Sequence, residues 1–366
     1  MRIGILTLPF NLNYGGFLQA FSLMTVLKRM GHEPEMIMRR HNKEEVSLLF
    51  LLKYAIKGIA KSILRGRHYP IIYNVENDYR IRGRQMLSFV DKNIRPQSPF
   101  LYSTEELRAY CKDRFDAYLV GSDQLWRPDY VPDITNFFLD FTEGWDVKRI
   151  AYAASFGNDS PCYTDKEKEA CRKLIQGFDA VSLRETGGKR VFENLGWKYN
   201  DLQVVLDPTL LLTMDDYNRL LPEKKSESHH KIFAYILDDN EEIDRFLSNL
   251  SRTQGKEVWR FPVRSIPMPP IEEWLSAFRD CDFVVTDSFH GTVFSIIYNK
   301  QFFVLGNPER GQSRFETLLG HFGLENRLIY NVDSPINLPT INFSNVNKIL
   351  EEKRQLSCDF LSNSLH

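Results

Sequence analysis

The segment Asp282-Phe-Val-Val-Thr-Asp-Ser-Phe-His-Gly-Thr-Val-Phe-Ser-Ile-Ile-Tyr-Asn-Lys300 sets the reading of the whole chain. Residues 283–286 are a short, continuous apolar and β-branched run, the pattern of a strand buried on both faces of a parallel sheet. From 292 to 298, apolar side chains recur at 293, 294, 296 and 297, the spacing of a buried helix face. Asp287, Ser288, His290 and Gly291 lie between strand and helix. Ligands of open α/β folds bind beyond the carboxyl end of a strand, where the N–H groups of the next helix favour an anion.

Strand and helix signals alternate on both sides of this segment, which predicts an α/β fold with mostly parallel sheets. Upstream come a strand at 231–237, a helix at 241–252, a strand at 257–261 and a helix at 271–278. Downstream come a strand at 301–305, the loop 306–314 with Arg310, Ser313 and Arg314, and a helix at 315–322. The polar stretch 221–230 has no apolar periodicity and reads as a linker, its His229 and His230 solvent-exposed. The expected division is a first domain over 1–220, a second over 231–345 and a closing helix within 346–366.

In the first half, a strand at 2–8 leads through Asn13, Tyr14, Gly15 and Gly16 into a helix at 17–30 and a strand at 32–39. The glycines fall short of a full G-x-G-x-x-G fingerprint. They either admit a ligand close to the backbone or simply form the turn. A helix over 73–95, a proline-containing loop and a helix over 103–111 precede a strand at 116–120. That strand runs into Gly121, Ser122, Asp123, Gln124, Leu125 and Trp126. Asp123 suits an acid/base group or a partner for a sugar hydroxyl, and Trp126 suits a stacking face. Asp and Ser serve equally well as helix caps.

A strand at 148–154 and a helix at 165–176, with Thr164 and Glu167 spaced as a capping box, come next. The apolar strand 180–183 then delivers Arg184 and Glu185. An arginine in that position binds an anion or forms a structural ion pair. The last strand of this half, 203–206, is followed by Asp207 and Pro208.

Composition narrows the function class. The 366 residues are 43% hydrophobic and 26% charged, the profile of a globular chain long enough for two domains. A net charge of −1 gives no global field toward nucleic acid. Cysteines 111, 162, 171, 281 and 358 have no close pair, which argues against a disulfide framework or a zinc site and fits a reducing cytosol. The first ten residues read as a strand, not a signal peptide, and no uncharged run reaches a membrane span, so a cytoplasmic protein is expected. Residues 46–68 are almost wholly apolar apart from Lys53, Lys57 and Lys61 on one helical stripe and basic residues toward its end. This suits peripheral contact with an anionic membrane surface; an insertion helix with solvated lysines is the competing reading.

Four segments together resemble the polysaccharide pyruvyl transferase family: 13–20, 120–126, 182–185 and 286–292. The resemblance implies two Rossmann-like domains facing across a cleft in a GT-B-like arrangement. It implies transfer of pyruvate from phosphoenolpyruvate to two hydroxyls of a saccharide or lipid-linked saccharide, giving a cyclic ketal. Phosphoenolpyruvate is then a co-substrate, and neither redox cofactor nor metal is needed. His290 matches the histidine that contacts the donor and suits an acid/base role. Arg184 matches an arginine expected to grip the donor's anionic groups. Ser288, Gly291, Thr292, Arg310 and Arg314 complete the expected donor side. Asp123, Trp126, Asn13, Tyr14, Gly15 and Gly16 face the acceptor, Asp123 as the second catalytic candidate.

Ser288 departs from the family pattern, which places an arginine two residues before the histidine; Arg310 or Arg314 is the candidate replacement. Three further readings stand beside this one. His290 is a core histidine bonded to Asp287, the chain is a glycosyltransferase using a nucleotide-sugar, or it binds a sugar phosphate without catalysis.

Overall fold

In the computed structural model, the described residues are 1–10, 12–41, 56, 75–223, 231–306, 311–330 and 339–366. Apart from Ile56, the segment 46–68 lies outside them, as do Arg310 and residues 224–230 of the linker.

The first half is built on one seven-stranded parallel sheet. Its elements in chain order are β1 (Arg2–Leu6), α1 (Tyr14–Arg29), β2 (Glu33–Arg39), α2 (Val75–Asn93), β3 (Gln97–Leu101), α3 (Thr104–Cys111) and β4 (Ala117–Val120). Then follow β5 (Lys148–Ala154), α4 (Asp165–Leu174), β6 (Ala180–Leu183), α5 (Gly187–Asn194), β7 (Leu202–Val204) and, after a 3-10 turn at Pro208–Leu211, α6 (Met214–Asn218). The second half carries a five-stranded parallel sheet. Its elements are β8 (Lys231–Tyr235), α7 (Glu241–Gln254), β9 (Glu257–Arg260), α8 (Ile271–Asp280), β10 (Phe283–Thr286), α9 (Phe289–Ile297), β11 (Gln301–Leu305), α10 (Ser313–Gly320) and β12 (Leu328–Ile329). The helix α11 (Phe343–Leu365) ends the chain.

Strand order is β3-β2-β1-β4-β5-β6-β7 in the first sheet and β12-β11-β10-β8-β9 in the second. Each order reverses direction once, between β1 and β4 and between β8 and β10. A crevice opens at the carboxyl ends of the strands at such a reversal. β4 and β10 beside these points are buried along their whole length, as their runs Ala-Tyr-Leu-Val and Phe-Val-Val-Thr suit.

Several boundaries moved for physical reasons. Asn13 accepts a hydrogen bond from the Gly15 N–H, so α1 starts at Tyr14, ahead of the first apolar repeat. Ser288 caps α9 in the same way, so His290 and Gly291 belong to the first turn of the helix and not to a loop. The expected proline-containing loop holds β3, and Pro99 is tolerated there because β3 is an edge strand.

An aromatic cluster joins the halves. The Tyr14 ring stacks on Trp274 of α8 at 5.4 Å and meets Phe261 edge-on at 5.4 Å, while its hydroxyl donates to the Pro269 carbonyl at 2.8 Å. These contacts bury ring area and satisfy the one polar atom Tyr14 carries into the interface. Helix α11 crosses back to the first half, where the Leu206 N–H donates to Ser357 Oγ and Arg354 donates to the carbonyls of Leu210 and Leu212.

Candidate active site

Three carboxylates, a guanidinium and an imidazole meet where the two crevices face each other. Arg184, one residue past β6, has a side chain only 1% exposed. Its Nη1 donates to Asp207 Oδ2 at 3.0 Å. Nη2 lies 3.6 Å from Asp123 Oδ1 and Nε 3.8 Å from Glu185 Oε2, and neither nitrogen makes a hydrogen bond. Burying a guanidinium costs several kcal/mol by desolvation on its own. Burial alone would lower the pKa of Arg184, but the three surrounding carboxylates outweigh it and hold the residue charged. The ion-pair reading of Arg184 is therefore met by all three carboxylates, of which only Asp207 is hydrogen-bonded, so Nε and Nη2 keep N–H groups without a hydrogen bond.

Asp207 is the residue the sequence did not single out. Its Oδ1 accepts from the Thr209 N–H at 3.0 Å and the Thr209 hydroxyl at 2.6 Å; its Oδ2 accepts from Arg184 and, at 3.4 Å, from Ser122 Oγ. The His290 Nε2 lies 3.6 Å from the same Oδ2, beyond hydrogen-bond length, and makes no hydrogen bond. Full burial would raise the Asp207 pKa, yet the facing imidazole, Arg184 and Thr209 overcome that and leave it well below the ordinary carboxylate range. The one available signal was the Asp-Pro step after a run of apolar residues, which reads equally well as a turn.

His290 is positioned by a glycine of the opposite half. A Cβ placed on Gly15 would lie 1.9 Å from His290 Nδ1, so only glycine leaves room for the ring. Gly16 differs: a Cβ there would rest 3.7 Å from Asp123 Oδ2, an ordinary contact. Asp123 follows the Gly121–Ser122 turn with φ +86°, a left-handed backbone that aspartate tolerates better than most residues. Its Oδ1 accepts from the Gln124 N–H at 2.9 Å. Glu185 accepts from Ser155 Oγ and the Phe156 N–H through Oε1, and burial pushes its carboxyl up.

Phe289 brings the second half's aromatic face to the arginines. Arg184 Cζ is 4.5 Å and Arg314 Cζ 5.9 Å from its ring centroid, both within cation–π reach. Burial and the nearby charge of Arg184 lower the Arg314 pKa to about 10.

The structure brings His290, Asp123, Arg184, Arg314, Gly15 and Gly16 together and assigns other duties to the remaining candidates. Trp126 is fully buried, stacked on Phe138 at 4.9 Å with its indole N–H on the Phe137 carbonyl, so the sugar-stacking reading is corrected. Tyr14 is spent on the interdomain cluster and Asn13 on capping α1. Ser288 Oγ accepts from the Gly291 N–H at 3.3 Å, and Thr292 Oγ1 donates back to the Ser288 carbonyl. The Gly291 N–H and the Thr292 hydroxyl are thus already engaged within the first turn of α9. Gly291 is required sterically, because a Cβ would meet Thr286 Oγ1 at 2.2 Å. Asp287 accepts from the Leu237 and Asp238 N–H groups and ties β10 to β8, not to His290. Among the described residues, no group of three His, Cys, Asp or Glu side chains is placed to hold a metal ion.

A sequence model of the family described as polysaccharide pyruvyl transferase matches residues 13–309. The chain belongs to that family. The match spans all four resembling segments and every residue of the Arg184–Asp207–His290 cluster; Arg314 falls beyond its end. This polysaccharide pyruvyl transferase family member is accordingly a transferase of polysaccharide modification. No curated protein matches the sequence. Among solved structures, the chain is similar to UDP-GlcNAc 2-epimerase from Neisseria meningitidis bound to UDP-GlcNAc, with TM-score 0.52 and 10% identity over 100% of this chain and 99% of the other. It is also similar to UDP-GlcNAc 2-epimerase from Methanocaldococcus jannaschii, with TM-score 0.53 and 10% identity over 97% and 93%. Such identities speak for the fold alone, the GT-B-like pair of Rossmann-like domains facing across a cleft.

Proposed function

We propose that the enzyme moves a pyruvyl group from phosphoenolpyruvate to two hydroxyls of a saccharide in a surface-polysaccharide or glycolipid precursor. The observation that carries this reading is the pair of Arg184 nitrogens, Nε and Nη2, that make no hydrogen bond, buried near His290 at the meeting of the two halves. Those nitrogens offer N–H donors to an anionic donor group, and Arg314 adds charge near the same Phe289 ring. His290 protonates the methylene carbon of phosphoenolpyruvate as one sugar hydroxyl adds to the adjacent carbon and passes its proton to Asp123. Phosphate then leaves with its bonding electron pair and takes that proton, and the second hydroxyl closes the ketal and gives its proton back to His290. Asp123 polarises an acceptor hydroxyl, and Asp207 stabilises the charged imidazole. No oxidation state changes over the sequence, so no redox cofactor enters it.

We read the acceptor precursor as cytoplasmic, a compartment that the unpaired cysteines Cys111, Cys171 and Cys281 suit.

Thermal-shift titration tests the donor. Phosphoenolpyruvate should stabilise the wild type, and Arg184→Ala should abolish that shift. Stabilisation by UDP- or GDP-sugars alone would replace this reading with nucleotide-sugar transfer.

A further inference from the structure

A second basic centre lies outside the His290–Asp207 cluster. Beyond the end of β2, between α2 and the edge strand β3, opens a cavity of about 700 Å³. Arg40 lines it with its guanidinium within cation–π reach of two rings, 4.7 Å from the Tyr79 centroid and 3.9 Å from that of Phe100. Contact with two rings restricts where the guanidinium can sit and leaves its charge facing the opening. Arg80, Arg84 and Lys92 also line the cavity from α2, at spacings that keep them on one face of the helix. The acid in the lining, Asp91, is paired with Arg95 at 3.0 Å. Arg40, Arg84 and Lys92 have no carboxylate partner among the described residues. A chain of net charge −1 thus concentrates four cations around one opening.

We propose that this cavity is an anion site that takes a phosphate or diphosphate ester. Several cations facing one space suit a multiply charged group better than a single carboxylate, and a guanidinium suits phosphate oxygens. The volume is in the range that holds a small ligand.

The loop after β1 borders both centres. Thr7 Oγ1 donates to the Ser122 carbonyl beside Asp123, and Phe10 lines the cavity while packing on Phe17 of α1 at 5.1 Å. Asn13 then caps the helix whose Gly15 receives His290. A phosphorylated acceptor anchored at Arg40 is thereby held on the acceptor side of the cleft. This extension rests on the pyruvyl-transfer reading; the anion site itself does not.

Isothermal titration of the full-length protein with inorganic pyrophosphate tests the site. Arg40→Gln and the double variant Arg84→Glu/Lys92→Glu should each weaken binding about tenfold or more, since each removes charge-assisted hydrogen bonds. Arg84 and Lys92 are exposed, so the double variant should keep the thermal midpoint of the wild type. Arg184→Gln should leave pyrophosphate affinity unchanged while losing the response to phosphoenolpyruvate, so failure of one reading is separable from failure of the other. Pyrophosphate binding that is absent from the wild type at millimolar concentration, or lost in Arg184→Gln and retained in the double variant, would overturn the proposal. Cosedimentation with phosphatidylcholine vesicles, with and without a polyprenyl diphosphate, then separates a lipid headgroup from a soluble ester. Sedimentation that needs the diphosphate lipid and is lost in the double variant assigns the headgroup. Pyrophosphate binding without such sedimentation assigns the soluble ester.

Discussion

The two halves contribute different things to the cleft. The first half supplies a finished electrostatic network, Asp123, Arg184, Glu185 and Asp207, drawn from the ends of its own strands. The second half supplies an imidazole and an aromatic ring on one helix turn, with Arg314 on the next helix. The ion pairs of Arg184 all lie within the first half, whereas His290 reaches Asp207 only when the halves are docked. The comparison separates a site's stability from its assembly.

Breaking the network should produce the largest effect. Asp207→Asn leaves Arg184 buried without its closest counter-charge, and chemical denaturation should show a loss of about 3–5 kcal/mol. Breaking the docking should cost less. Gly15→Ala puts a methyl group into the His290 ring, and the same measurement should show about 1–3 kcal/mol lost to overpacking, with a wider cleft in solution scattering. Gly16→Ala is the control in the same helix turn, with a change under about 0.5 kcal/mol.

The halves should also respond differently to acid. Asp207 has a depressed folded-state pKa, so its contribution is present above its unfolded value near 3.8 and is lost only as pH falls below that. His321, at the end of α10, acts in the same direction at higher pH: burial first, then Lys353, lowers it from 6.5 to about 4. Between those values the unfolded chain binds a proton that the native chain does not, so stability falls as pH drops from 6.5 toward 4. The expected effect is a slope worth about 1–2 kcal/mol over that window, allowing for partial exposure, which His321→Gln should flatten in a pH series of thermal midpoints.

Much of this was legible in the residues. Strands buried on both faces announce themselves as continuous apolar runs, and polar residues just past their ends mark the crevice, which is how Asp123, Arg184 and His290 were found. Asp207 was not legible because its role depends on what approaches from Arg184, Ser122 and the other half. Sequence spacing says nothing about such meetings. Trp126 misled for the converse reason: an indole near a site has a structural use that costs it nothing, here as core. The two adjacent glycines were indistinguishable in the sequence, and only the position of the opposing imidazole separates them.

The returning helix α11 bears on the order in which the molecule is made. Ser357 holds the Leu206 N–H immediately before Asp207, Phe360 packs beside Tyr152, and Lys148 reaches the carbonyl of Ser364. The first half therefore waits for residues translated some 150 positions after Leu206 before the backbone leading into its charge network is complete. On a ribosome releasing the chain from its N-terminus, the amino-terminal domain emerges early and matures late, and a fragment cut at the linker is a poor substitute for that domain in the whole chain.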